Sequence, residues 1–239
     1  LWWRLREPIR GASENVPLQP HDKPQGILST FRGLLGRPAV LLLMGAFACA
    51  NAVGSIFLIW APTFLFEKFH LGLVAAGFSA VAAIQLASAV SAPLSGMLAD
   101  RLSLTIPGAR MLVQAVALMA GSFCVVLVGR APTMEALMGA MLCFGLCKGA
   151  YDGGIFASVF DFVSPQERAS VAGLMNLLGW GGGALGPVAI GLAATYGTGP
   201  QMERMSGAIA WSGLAYLAAA GLIITAFTCY RTRLFPRPH

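Results

Sequence analysis

The stretch ALMGAMLCFGLCKGAYDGGIFASVF, Ala136 to Phe160, is free of charge except for Lys148 and Asp152, and it stands between Glu135 and Asp161. At about 1.5 Å of rise per residue, a helix over it holds Lys148 roughly 20 Å from either flanking carboxylate, close to the midplane of a bilayer. An ionised side chain there costs at least ~2.5 kcal/mol even on lenient insertion scales, so it persists only when paired or facing a wet cavity. Four residues apart is one helical turn, so Lys148 and Asp152 can pair with each other. Two readings follow: a structural ion pair that neutralises itself, or a substrate or ion site, the default for intramembrane ionisable groups.

Working outward, the whole chain is 56% hydrophobic and only 11% charged, against about 25% charged in soluble domains. Charge-free stretches run from Pro38 to Phe66, Leu71 to Ala99, Met111 to Gly129, Val171 to Met202 and Met205 to Tyr230. With Ala136 to Phe160 they give six candidate spans, about 38–66, 71–99, 111–129, 136–160, 171–196 and 205–230, each with the length a helical crossing needs. Transmembrane β-strands are about half as long and alternate in polarity, which these segments do not. The fold class is therefore all-α, a polytopic membrane protein of six transmembrane helices over 38–230.

Cytoplasmic loops hold the excess of Lys and Arg. With the N-terminus inside, that side carries Arg4, Arg6, Arg10, Lys23, Arg32, Arg37, Arg101, Arg110, Arg168, Arg231, Arg233 and Arg237, and the other only Lys68, Arg130 and Arg204. Both termini are expected in the cytoplasm, and the net charge of +6 reads as topological bias. Basic residues scattered at helix ends do not make a nucleic-acid footprint. The five cysteines, Cys49, Cys124, Cys143, Cys147 and Cys229, all fall within spans as small packing residues, and no His or carboxylate is spaced with them for a metal. Neither metal nor cofactor is expected. No HExxH or GxSxG occurs, which argues against a membrane enzyme.

Residues 1–37 read as a cytoplasmic linker. Arg4 to Lys23 is polar with Pro8, Pro17 and Pro20, and Ile27, Leu28, Phe31, Leu34 and Leu35 then recur at the spacing of a short interfacial helix. Residues 231–239 form a cytoplasmic tail. Leu1, Trp2 and Trp3 resemble the end of an earlier span, so a fragment of a longer protein is expected.

Mid-span polarity sorts the helices. Asn51 lies near the centre of the first span, Gln85 at the centre of the second, and Lys148 with Asp152 in the fourth. The third has only Ala120, Gly121 and Ser122 there, and the sixth has Tyr216. Polar groups at one depth on three helices imply a common cavity, since each is costly against lipid, although any one alone reads as interhelical glue. The fifth span carries Gly179, Gly181, Gly182, Gly183, Gly186, Pro187 and Gly191. Small residues four apart let backbones approach, and Pro187 favours a kink, so the seam is either static packing or a flexing joint. Gly54-Ser55-Ile56-Phe57 and Gly153-Gly154-Ile155-Phe156 occupy matching places in the first and fourth spans, a hint of a three-plus-three repeat.

Gly96-Met97-Leu98-Ala99-Asp100-Arg101 resembles the G-x-L-A-D-R signature loop of the major facilitator superfamily; Ser103 then replaces the following glycine, and Gly108 and Arg110 come only after Pro107. Trp60-Ala61-Pro62-Thr63-Phe64-Leu65 resembles the end of the first helix of a half in organic-anion and spinster-like members. Gly182 to Gly191, with Gly186-Pro187, is similar to the antiporter motif, Ile190 replacing one glycine. Arg6-Glu7-Pro8-Ile9-Arg10-Gly11 resembles the sequence before the central linker of spinster-like transporters. The resemblance implies helices seven to twelve of a twelve-helix transporter, one half of the fold, whose partner is the missing N-terminal six-helix half. It further implies a midplane substrate site, a cytoplasmic latch at Gly96, Asp100 and Arg101, and a gating role for Gly186 and Pro187.

The expected function is secondary active transport of a small organic anion or amphiphilic solute by alternating access in the inner or plasma membrane, with ion coupling open. Lys148, Asp152, Asn51 and Gln85 are the expected substrate contacts, and membrane lipid surrounds the bundle. The alternative is a non-transporting receptor or assembly partner in which the Lys148/Asp152 pair is structural.

Overall fold

The structure, a computed structural model, describes residues 33–234 apart from 35, 71, 197 and 198. The linker from Arg4 to Lys23, the interfacial positions Ile27, Leu28, Phe31 and Leu35, and residues 235–239 lie outside the described residues. Leu34 is buried in the core.

The described chain forms α1 (Pro38–Phe69), α2 (Leu73–Ser103), α3 (Ala109–Arg130), α4 (Met134–Asp152), α5 (Ile155–Phe160), α6 (Arg168–Tyr196) and α7 (Gln201–Leu234). Every backbone amide inside hydrocarbon needs an internal partner, and the helix supplies it within each segment. Helices extend past the charge-free stretches because their last turns take charges at the water boundary, as Glu67 and Lys68 do in α1. Pro38 sits in the first turn of α1, where a missing N–H costs nothing. Thr133 caps α4 by accepting from the Ala136 amide at 3.3 Å. Between α2 and α3 the chain turns through Gly108 at φ +81°, a left-handed conformation that suits glycine, with the Phe227 ring 3.0 Å from where a Cβ would stand.

The fourth span departs from the single helix expected over 136–160. α4 stops at Asp152 and α5 resumes at Ile155. Gly154 lies at φ −124°, ψ −13°, outside helical values, and its N–H reaches the Tyr151 carbonyl at 3.3 Å, three residues back instead of four. Two adjacent glycines lower helix propensity by about 1 kcal/mol each relative to alanine. Close neighbours also demand them: a Cβ on Gly153 would lie 2.6 Å from the Ala92 carbonyl oxygen, and one on Gly154 2.6 Å from Gln114 Nε2. Among the described residues, five helices are long and apolar enough to cross a membrane singly, and the broken α4–α5 segment makes the sixth span.

The helix pairing reveals an inverted repeat. α1 packs along α6 as α4 packs along α2, α1 along α7 as α4 along α3, and α3 and α7 pack on each other. Exchanging α1, α2 and α3 with α4–α5, α6 and α7 maps this set onto itself, the property of a three-plus-three repeat. Two glycine seams hold the equivalent pairs. Gly182 and Gly186 bring α6 against the Ala48 and Ala52 carbonyls of α1, while Gly145 and Gly149 of α4, and Gly153 just after it, bring that span against Ile84, Ser88 and Ala92 of α2. Such backbone approach is what small residues provide where lipid removes the hydrophobic drive between helices. Phe57 stacks on Phe144 at 4.4 Å and Phe47 meets Phe156 edge-on at 5.4 Å, so the first and fourth spans cross antiparallel.

Candidate functional site

A cavity of about 180 Å³ opens among α1, α2, α4, α6 and α7, lined by Asn51, Gly54, Ser55, Phe57, Ile84, Gln85, Lys148, Asp152, Trp180 and Tyr216, among others. Asn51, Gln85, Lys148 and Asp152, singled out from mid-span polarity, thus share one cavity. Lys148 Nζ donates to Asp152 Oδ2 one turn along α4, with the side chains 25% and 37% exposed, so the pair meets the cavity without leaving its partner. Gly54 makes room for it, since a Cβ there would stand 3.6 Å from Lys148 Cε. Asn51 Nδ2 donates to the Phe47 carbonyl at 2.9 Å, which fixes the amide and leaves its oxygen available to the cavity. Gln85 is exposed and its side chain makes no hydrogen bond among the described residues.

Two aromatic lining residues stand out little in the sequence, Tyr216 only by a mild mid-span polarity and Trp180 not at all. Trp180 projects from the glycine-rich turn of α6, 74% exposed, and Tyr216 stands 1% exposed beside Phe144. The bare centre of α3 explains how Tyr216 fits, because a Cβ at Gly121 would fall 2.8 Å from its ring. The cavity therefore offers one cation, one carboxylate, two carboxamides and an aromatic wall. That combination can hold an anionic group beside an apolar body.

A second cluster gathers at the end of the bundle where α2 meets α3. Arg110 Nη2 and Nε donate to Asp100 Oδ1 at 2.8 and 3.1 Å, and Nη1 reaches Asp161 Oδ2 at 3.3 Å. Arg110, the late basic residue of the Asp100 loop, bonds Asp100 and ties it to the end of α5. All three side chains are partly exposed, and surface pairs of this kind are worth only about 0–1 kcal/mol. They can therefore separate and re-form. Arg101 is exposed and its side chain bonds to no other described residue. A Cβ at Gly96 would meet open space, so nothing described in this chain demands glycine there. Gly186 is pressed onto Ala52, and the Pro187 carbonyl accepts from Trp60 Nε1 at 3.0 Å, which pins the α1–α6 seam.

A family model described as Major Facilitator Superfamily matches residues 1–187 and, in an overlapping alignment, 79–239. The chain belongs to the major facilitator superfamily. The fold agrees: a bacterial homologue of the human lysosomal transporter Spinster, solved in an inward-facing and unoccupied conformation, superposes with a TM-score of 0.66 at 20% identity. The match covers 100% of this chain and 57% of that chain, so the sequence spans little more than half the length of that solved structure. Within this major facilitator chain, the Asp100 loop and the Lys148 cavity lie on the same helices, α2 and α4–α5, at different heights.

Proposed function

We propose that this chain is the C-terminal half of a secondary active transporter that moves a small organic anion or an amphiphilic solute by alternating access. The observation that carries the reading is the Lys148/Asp152 pair, open to a cavity that Asn51 and Gln85 also line. An incoming anionic group competes with Asp152 for the Lys148 ammonium, and the two carboxamides supply hydrogen bonds whose loss on leaving is costly in a low-dielectric site. The aromatic wall of Trp180, Phe57 and Tyr216 accommodates the apolar part of the solute. Coupling to an ion, by symport or antiport, belongs to the same reading.

The remaining assignments complete it. Residues 1–37 act as the cytoplasmic linker and 231–239 as a tail, both on the cytoplasmic side, with an N-terminal six-helix half as obligatory partner. The exposed cavity face supports this, since Gln85, Lys148 and Asp152 cannot rest in hydrocarbon without penalty. Asp100, held by Arg110, serves as a latch of one transport state, and Gly186 with Pro187 as the joint of α6. A second reading, a non-transporting membrane protein with a structural ion pair, draws support from the way Lys148 and Asp152 satisfy each other. Uptake and binding of anionic and zwitterionic solutes by the reconstituted transporter, with and without Lys148→Ala, separate the two: loss of both with the protein still folded supports transport at this site.

A further inference from the structure

Two grooves run along the outer face of α7, away from the Lys148 cavity. One lies between α3 and α7, with a volume of about 260 Å³, and has Arg130 at its mouth and Leu217 at its far end. The other, about 690 Å³, lies among α1, α6 and α7 from Arg204 to Ala215. They share Gly207 and Trp211, so the indole, 72% exposed, stands as a ridge between them. Both have their basic residue at the same end of the bundle, where α3 finishes and α7 begins. From Ser206 to Leu217 the helix rises about 16 Å at 1.5 Å per residue, roughly the depth of one leaflet.

We infer that this face binds one anionic phospholipid, its two acyl chains lying in the two grooves astride Trp211 and its phosphate on Arg130. Charge complementarity argues for that occupant. Arg130 is exposed and its side chain makes no hydrogen bond or ion pair with another described residue, and no carboxylate lines either groove. A guanidinium at headgroup height takes phosphate bidentately. The walls below it are small or apolar, and two channels meeting at one ridge match a diacyl lipid better than a single chain. Hydrocarbon is also the medium that grooves on the outside of membrane helices meet.

Bromine-labelled acyl chains quench a nearby indole, which gives the test. The transporter carrying this chain is reconstituted in phosphatidylcholine nanodiscs doped with brominated phosphatidylglycerol or, in parallel, brominated phosphatidylcholine. The Trp211 signal is the difference between the parent protein and Trp211→Phe. The lipid site predicts about fivefold more effective quenching by the anionic lipid at equal mole fraction. Arg130→Gln should bring that ratio to one. Gly207→Leu, at a position where a Cβ meets open space, should reduce quenching by both lipids without disturbing the fold. Equal quenching of the parent protein by the two lipids overturns the inference. So does an indole that neither lipid quenches, the outcome if a second copy or another part of the transporter covers the face.

Discussion

The Arg37 guanidinium holds the Glu167 carboxylate through two hydrogen bonds, Nη1 to Oε2 at 2.8 Å and Nη2 to Oε1 at 3.2 Å, and so clamps the start of α1 to the entry of α6. The Glu167 oxygen also accepts from the Ser164 amide at 3.1 Å and its hydroxyl at 2.9 Å. Arg37 first, and then Ser164, hold the carboxyl below its usual value despite burial. A depressed folded value means that the stabilisation is present above the ordinary glutamate value of about 4.3 and is lost as pH falls through the folded one. The melting temperature of the parent protein should therefore exceed that of Glu167→Gln by a constant amount from pH 8 to about 5, and the gap should close on further acidification. A gap that persists unchanged at pH 3 would count against the clamp.

Asp100→Asn should slow interconversion of inward and outward states more than it weakens substrate binding, because Asp100 bonds Arg110 at the end of the bundle and not in the cavity. Arg110→Gln, which also removes the bond to Asp161, should slow interconversion at least as much, and the double variant should be no worse than Arg110→Gln alone, since that change already removes the Asp100 pair. Affinity and transport rate measured on one preparation decide the matter. A loss confined to affinity would contradict the latch.

The glycines of α6 separate into two kinds that sequence cannot distinguish. A Cβ at Gly182 would collide with the Ala48 carbonyl, whereas one at Gly181 would meet nothing within 4 Å. Gly182→Val should cost about 1–3 kcal/mol or more through overpacking, and Gly181→Ala should leave the melting temperature unchanged or slightly raised. Gly149→Val, on the equivalent α4–α2 seam against Ser88, should behave like Gly182→Val. Equal effects at Gly181 and Gly182 would remove the seam from the account.

Much of the fold was legible because charge inside an apolar helix is rare. Lys148, Asp152, Asn51 and Gln85 announced themselves by polarity at one depth, and they line one cavity. Trp180 did not, and Tyr216 did so only faintly, since an aromatic in an apolar span reads equally as core, lipid anchor or cavity wall until its neighbours are known. Arg110 showed only as the displaced basic residue of the Asp100 loop: its partners lie ten and fifty-one residues away, and the turn at Gly108 and the packing of α5 on α3 bring them to it. The break at Gly153–Gly154 was present in the letters. Its cause, the pressure of Ala92 and Gln114 on those two residues, is tertiary.

Expressed alone, these 239 residues should insert in the membrane yet transport nothing, and should self-associate or be degraded, because the face bearing Gln85, Lys148 and Asp152 is left against lipid. Co-expression with an N-terminal half should restore a stable protein. Vectorial uptake by the purified chain as a monomer would show that one half suffices and would refute the two-half reading.

The most direct measurement is uptake by the reconstituted transporter in three forms, the parent, Lys148→Ala, and Lys148→Ala combined with Asp152→Asn. Removing Lys148 takes away the only cation lining the cavity among the described residues and leaves a carboxylate with no counter-ion. If Lys148 binds substrate, neither variant transports, although the double variant regains the thermal stability that the single one loses. Full uptake by the double variant would mean that the pair is structural and that the substrate binds elsewhere.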